Sequence, residues 1–266
     1  MSDETPILLE TTPDGIATIT LNRPEVHNAF NDLVIEQLDA MIDDLAKQDG
    51  IRVVVLQGNG KSFSAGADLN WMRLAADLDE EANRQDAAEL GDLLLKLASM
   101  PQPTIALVHG AAVAGGLGLV AACDVAVAVK DAHFALTEVR LGLVPAVISP
   151  YVVAAIGARQ ARRYFLTAER FDAETAQRLG LVHEVVADHA ALTAARDRLV
   201  RQFLVAAPGA LAAAKELIQE VGHKPFSSAL AHETARRIAE RRASPEGREG
   251  IASFLERRRP SWAKTD

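Results

Sequence analysis

Two stretches of this chain join small side chains to what reads as the start of a helix. The first is Phe63-Ser-Ala-Gly-Ala-Asp68. The second is His109-Gly-Ala-Ala-Val-Ala-Gly-Gly116. Small residues let another group come close to the backbone, and the first turn of a helix leaves N–H groups without partners. Two such turns side by side would aim two donors at one developing oxyanion, which acyl transfer or enolate formation needs. Taken alone, either turn reads more readily as tight helix–strand packing with no ligand, because a lone Gly-rich turn is weak evidence.

Among the carboxylates Glu138 stands out, because Phe134-Ala-Leu-Thr-Glu-Val-Arg-Leu-Gly-Leu-Val-Pro145 is mostly apolar. Apolar surroundings disfavour the charged form and move a carboxyl toward the range useful for proton transfer at neutral pH. A surface pair with Arg140 is the structural alternative. Asp68 and Asp124 follow small residues at element boundaries and read as caps or turn residues. Other chemistries lack their signatures. No Lys-Ser/Thr follows the glycines, Gly115-Gly-Leu-Gly118 is not a dinucleotide fingerprint, and there is no Gly-x-Ser-x-Gly elbow. The seven histidines show no metal-ligand spacing.

The elements that must carry these residues follow from periodicity. A turn at Pro13-Asp-Gly15 joins alternating segments, predicting a hairpin of Ile7 to Thr11 with Ile16 to Asn22. Val34, Leu38, Met41, Ile42 and Leu45 form one helical stripe between Asp32 and Gln48. Arg52 to Gln57, Thr104 to Val108 and Asp124 to Val129 read as buried strands, and Val182 to Val186 is a further strand candidate. A short helix opens at Asp68. The charged stretch Asp77 to Gln85 is either a lid or the exposed start of a helix running to Met100. The first two-thirds therefore reads as α/β. We expect a core over 1–190 and a C-terminal helical region over 191–266.

Composition narrows the function classes. Of 266 residues, 49% are hydrophobic and 24% charged, which fits a folded globular chain. The net charge of -8 argues against binding nucleic acid phosphates, despite arginine clusters at 236–242 and 257–259. Residues 104–123 lack charge over about the length of a membrane span, but glycines interrupt them, so no membrane association is expected. The acidic start carries no secretory pattern, and Cys123 is the single cysteine, so the expected compartment is cytoplasmic.

Taken together, the chain resembles the crotonase superfamily, the enoyl-coenzyme A hydratase/isomerase family, over nearly its whole length. The matching strings are Leu21-Asn-Arg-Pro-Glu-Val-His-Asn-Ala29, Phe63 to Asp68, Gly115-Gly116 with Ala122-Cys-Asp124, Glu138-Val-Arg-Leu-Gly142, and Ser244 to Phe254. The resemblance implies a spiral of ββα units with a C-terminal helical trimerisation region, assembled as a trimer or a dimer of trimers. It also implies an acyl-coenzyme A substrate, coenzyme A being part of that substrate, with no separate cofactor and no metal. By that resemblance the N–H groups of Ala67 and Gly115 form the oxyanion hole and Glu138 is the acid–base residue. Val26, Ala29, Ala65, Gly66, Asp68, Leu69 and Gly116 line the substrate.

One departure matters. Family hydratases usually carry two glutamates, and the first falls at Gly118 here. Family isomerases usually work with one, near the position of Glu138. Yet Gly66 to Met72, Gly118 to Asp124 and Leu141 to Tyr151 look like methylglutaconyl- and isohexenylglutaconyl-coenzyme A hydratases, a group that shares this glycine. The expectation is a hydro-lyase acting on a branched or glutaconyl-type 2-enoyl thioester. The alternatives are a one-glutamate isomerase and a non-catalytic binding protein on the same scaffold. His109, His133, Ser149 and Tyr151 are the candidates to stand in for the missing glutamate.

Overall fold

A computed structural model describes residues 5–222 and 224–263. The chain opens with the antiparallel hairpin β1 (Ile7–Thr11) and β2 (Ile16–Leu21), with Leu9 opposite Ile19. The 3-10 turn Pro24–Val26 then leads into α1 (Asp32–Ala46), which is capped by the Asn31 side chain accepting from the Val34 N–H. Its stripe of Val34, Leu38, Ile42 and Leu45 is buried, and Met41 lies at its edge.

Strands β3 (Val53–Gly58), β4 (Thr104–Val108), β6 (Val125–Val129) and β9 (Glu184–Val186) add in parallel to β2, giving the order β1-β2-β3-β4-β6-β9. The four residues Val53 to Leu56 are all buried, and so is every residue of β4. Covered on both faces, these central strands carry unbroken apolar runs instead of alternation.

A second sheet was not anticipated. The strands β5 (Ala111–Val113), β7 (His133–Ala135) and β8 (Phe171–Asp172) form it in that order. They are too short to show a period and are held by partners distant in sequence. Helices α2 (Leu69–Ala75) and α3 (Glu80–Ser99) connect β3 to β4, and α4 (Gly115–Ala122) lies between β4 and β6. The charged stretch after Asp77 becomes the start of α3, capped by Asp79.

After β7 come the 3-10 turn Glu138–Leu141 and α5 (Ser149–Thr167), which is broken at Gly157, then α6 (Ala173–Leu179). The expected boundary near residue 190 falls at the start of α7 (His189–Val205), whose Leu192, Ala195 and Val200 join the main core. By contrast α8 (Pro208–Val221) and α9 (Ser228–Ala243) bury no residue fully, and α10 (Pro245–Leu255) buries Ser253 alone. These helices are tied to the core by polar contacts. Lys215 donates to Asp124, which also accepts from the N–H and hydroxyl of Thr104, so Asp124 is a cross-link and not a helix cap. Arg52 donates to the carbonyls of Leu204, Ala206 and Trp262. Among the described residues no helix is long and apolar enough to cross a membrane.

Candidate active site

The two small-residue turns lie against each other because residues 63–68 change partners midway. Phe63 and Ser64 donate to the carbonyls of His109 and Ala111, and Val113 donates back to Ser64. From Ala65 onward the partners are on the other side: Ala65 donates to His27, Phe30 donates to Gly66, and Asp68 donates to Phe30. Gly66, at φ 87°, makes the switch, a backbone conformation open to glycine and strained for other residues.

This fixes where the Ala67 N–H points. The peptide unit joining Gly66 and Ala67 is planar and trans, so its carbonyl and its N–H face opposite ways. The Gly66 carbonyl accepts from Phe30 at 2.7 Å, so the Ala67 N–H is turned away from Phe30. In the second turn, the Ala114 carbonyl accepts from Gly118 within α4 at 3.1 Å, which sends the Gly115 N–H out of the helix start. Among the described residues neither N–H has an acceptor. The turns are close, since a Cβ placed on Gly66 would lie 3.0 Å from the Ala114 Cβ and 3.6 Å from the Gly115 nitrogen.

The second turn is strained. Ala114 adopts φ 50° and ψ -121°, a region that favours glycine, and is pinned by its N–H donating to Ala135 at 3.0 Å. Gly116 packs so tightly on Ser64 that an added Cβ would sit 2.6 Å from its carbonyl oxygen. That contact alone requires glycine at 116.

Glu138 follows β7, the strand that pairs with the one leading into the second turn. Val113 pairs with Ala135, so the strand that bonds the second turn ends three residues before Glu138. Its carboxylate is half-buried, and its Oε2 is buried with no hydrogen-bond partner among the described residues. Burial pushes its pKa up from the ordinary 4.5, partly offset by its own backbone N–H. Arg140 is exposed and makes no ion pair with it.

The remaining expected site residues spread over this rim. Val26 is half-buried and Ala29 buried beside the 63–68 strand, Ala65 is exposed, and Leu69 is 78% exposed. Asp68 caps α2, accepting from Asn70 and Trp71, and pairs with Arg23 at 2.9 Å. Burial works to raise its pKa, but the bonds from Asn70, Arg23 and Trp71 outweigh this and hold it low. The Asp68 side chain is therefore engaged by the fold. It lines a cavity of about 170 Å³ with Arg23, Asn31, Asp32, Asn70, Trp71 and Leu74. Asp68 is thus a helix cap, as its place at an element boundary suggests. The anchoring by Arg23 and by the buried Asn28, which donates to Asn59 and Ser62 carbonyls, went unread. Both lie in the Leu21 to Ala29 motif, so the signal was present without its geometry.

Gly118 is not an empty seat. A Cβ there would meet the Ile148 side chain at 2.2 Å (Cγ2) and 2.9 Å (Cβ), and Leu94 at 3.8 Å. Ile148 and Leu94 are both buried, so apolar groups occupy the volume next to Gly118. Of the proposed stand-ins, His109 donates from Nε2 to the Gly60 carbonyl and packs on His189 at 5.0 Å. Both rings line a different cavity, of about 260 Å³. Ser149 donates to the Ala146 carbonyl, His133 sits on β7 opposite Asp172, and Tyr151 is half-buried in α5 with its phenol pushed up by burial. Among the described residues no side-chain hydrogen bond or ion pair ties any of the four to Glu138. Nor does any group of three or more His, Cys, Asp or Glu there form a metal cluster.

Residues 11–265 match the family Enoyl-CoA hydratase/isomerase. The chain belongs to that family. It is 34% identical over 249 residues to the 2,3-dehydroadipyl-CoA hydratase of Escherichia coli, covering 93% of this chain and 94% of that one. An enoyl-CoA hydratase crystal structure from Shewanella pealeana superposes with a TM-score of 0.94 at 41% identity, covering 97% of this chain and 96% of that one. One from Mycobacterium smegmatis gives 0.92 at 33% identity, covering 98% and 100%. The α/β fold is that of the enoyl-CoA hydratases, and the chain is an enzyme of this family.

Proposed function

We propose that the enzyme hydrates a 2-enoyl-coenzyme A thioester with Glu138 as its one acid–base carboxylate. The observation that carries this is the pairing of two outward N–H groups, of Ala67 and Gly115, with a half-buried carboxylate whose buried Oε2 lacks a partner among the described residues. Glu138 takes a proton from water as the oxygen bonds to C3. The C2–C3 π electrons move into the thioester, and the enolate oxygen accepts from both N–H groups. Glu138 then returns the proton to C2. Each donor of such a hole contributes on the order of 10²–10³ in rate and the acid–base group about 10²–10⁴.

The acyl group we infer is branched or glutaconyl-type. Support comes from the resemblance of 66–72, 118–124 and 141–151 to that group, and from an E. coli relative whose substrate name denotes a dicarboxylic acyl chain. A second reading, isomerisation, is favoured by the apolar filling at Gly118, because moving a proton from C4 to C2 needs a single carboxylate and no water. Turnover of linear, methyl-branched and carboxylate-bearing enoyl thioesters in ¹⁸O-labelled water separates the two. A labelled hydroxyl on the product supports hydration, and a shifted double bond without label overturns it.

We further propose a homo-oligomer, a trimer or a dimer of trimers, built on the C-terminal helices. Ile218, Phe226, Phe254 and Leu255 there are each more than two-thirds exposed. A monomer in sedimentation velocity would overturn this.

A further inference from the structure

We infer that Phe30 is the positioning residue that sets both donors of the proposed oxyanion hole at once, an inference that rests on the reading of Ala67 and Gly115 as that hole. Phe30 contacts each turn by a different part of itself. Its backbone brackets Ala67: its N–H donates to the Gly66 carbonyl at 2.7 Å and its carbonyl accepts from Asp68 at 2.7 Å. Those two bonds turn the Ala67 N–H away from Phe30 and toward open space. Its ring covers the other turn, where a Cβ on Gly115 would lie 3.0 Å from the Phe30 Cε2 and 3.2 Å from Cδ2.

The ring is 2% exposed and belongs to the main core cluster, so it is held from behind. The next residue, Asn31, caps α1, which fixes the Phe30 backbone at the head of a fifteen-residue helix. A hydrogen-bonded backbone and a packed ring on one rigid residue therefore fix the spacing of two N–H groups that are far apart in sequence. The second turn needs this support most, because Ala114 is strained and relaxes if the space over Gly115 opens. The two donors act on one oxygen, so a shift of about 1 Å in either costs catalysis far more than binding, roughly 10²-fold in kcat.

The test uses the full-length enzyme and a chromophoric enoyl thioester conjugated to an electron-rich arene, whose absorption moves to the red as its carbonyl is polarised. Wild type is expected to red-shift the bound chromophore. Phe30→Ala is expected to lose most of that shift and to drop kcat about 10²-fold, with KM much less changed. Phe30→Leu, which trims the ring edge but still fills the core, is expected to lose part of the shift with a normal melting curve, and it decides the matter if Phe30→Ala does not fold. A full shift and unchanged kcat in a folded Phe30 variant overturns the positioning role and leaves the hole intact. No shift in wild type overturns the hole itself, and this inference with it.

Discussion

The two turns that face each other in the site offer the same thing, a backbone N–H, and are built by opposite means. The turn at 64–68 is latched by hydrogen bonds on both sides, through His27 and Phe30 on one and Ala111 and Val113 on the other, with Asp68 held by Arg23. The turn at 114–118 is shaped by contact, with Gly115 under Phe30, Gly116 on Ser64 and Gly118 under Ile148, around a strained Ala114. A turn latched by polar bonds can lose one and keep its course. A turn set by close packing tolerates almost no added atom, because protein interiors are filled to crystal-like density.

Four substitutions, one of them with a second-site partner, probe that contrast. The largest effect falls on Glu138, the carboxylate we propose as the acid–base group. Glu138→Gln should retain the fold and thioester affinity while turnover drops by about 10²–10⁴, measured as kcat. It also has a pH signature. Burial raises the folded pKa of Glu138, so protonation stabilises the folded state below the ordinary 4.5 and that stability is lost as pH rises through the raised value. The glutamine variant should therefore melt higher than wild type near neutral pH, and the difference should vanish in acid. In the wild type, kcat should fall as pH drops through that same raised value, where the base becomes protonated.

Next is the packed turn. Gly118→Glu should destabilise by about 3 kcal/mol or more in chemical denaturation, since it drives a charged side chain into Ile148. It should not raise hydration, and Ile148→Gly in the same chain should recover part of the lost stability. Strong hydration gained by Gly118→Glu over a wild type that hydrates nothing would favour the isomerase reading.

The latched turn should suffer less. Asp68→Asn weakens the bond from Arg23 and keeps a side chain able to cap α2, for a cost of about 1–2 kcal/mol in denaturant titrations. The smallest effect is Ala114→Gly. Glycine adopts φ 50° freely, so relief of strain and the added freedom of the unfolded chain should nearly cancel, within about 1 kcal/mol by melting temperature. A large loss there would mean that the Ala114 methyl, not the backbone, shapes the turn.

What could be read from the sequence was whatever repeats locally. The hairpin, the α1 stripe and the buried runs of β3, β4 and β6 show themselves because side-chain direction follows a fixed period along one segment. The small-residue turns showed as well, since glycine and alanine before a helix have a local backbone consequence, and so did Glu138 in its apolar run. The second sheet did not, because three short strands gain their identity only from partners as distant as Phe134 and Phe171.

The tertiary structure alone decided which atoms meet. Nothing near position 30 in the sequence says that its ring covers Gly115, or that Ile148 fills the space beside Gly118. Nor does sequence order show that Gly66 would hand its carbonyl to Phe30 and so turn the next N–H outward. Residue type and spacing act through the bonded chain and set local conformation. Packing and hydrogen-bond direction act through space, between segments that the chain brings together only once it has folded.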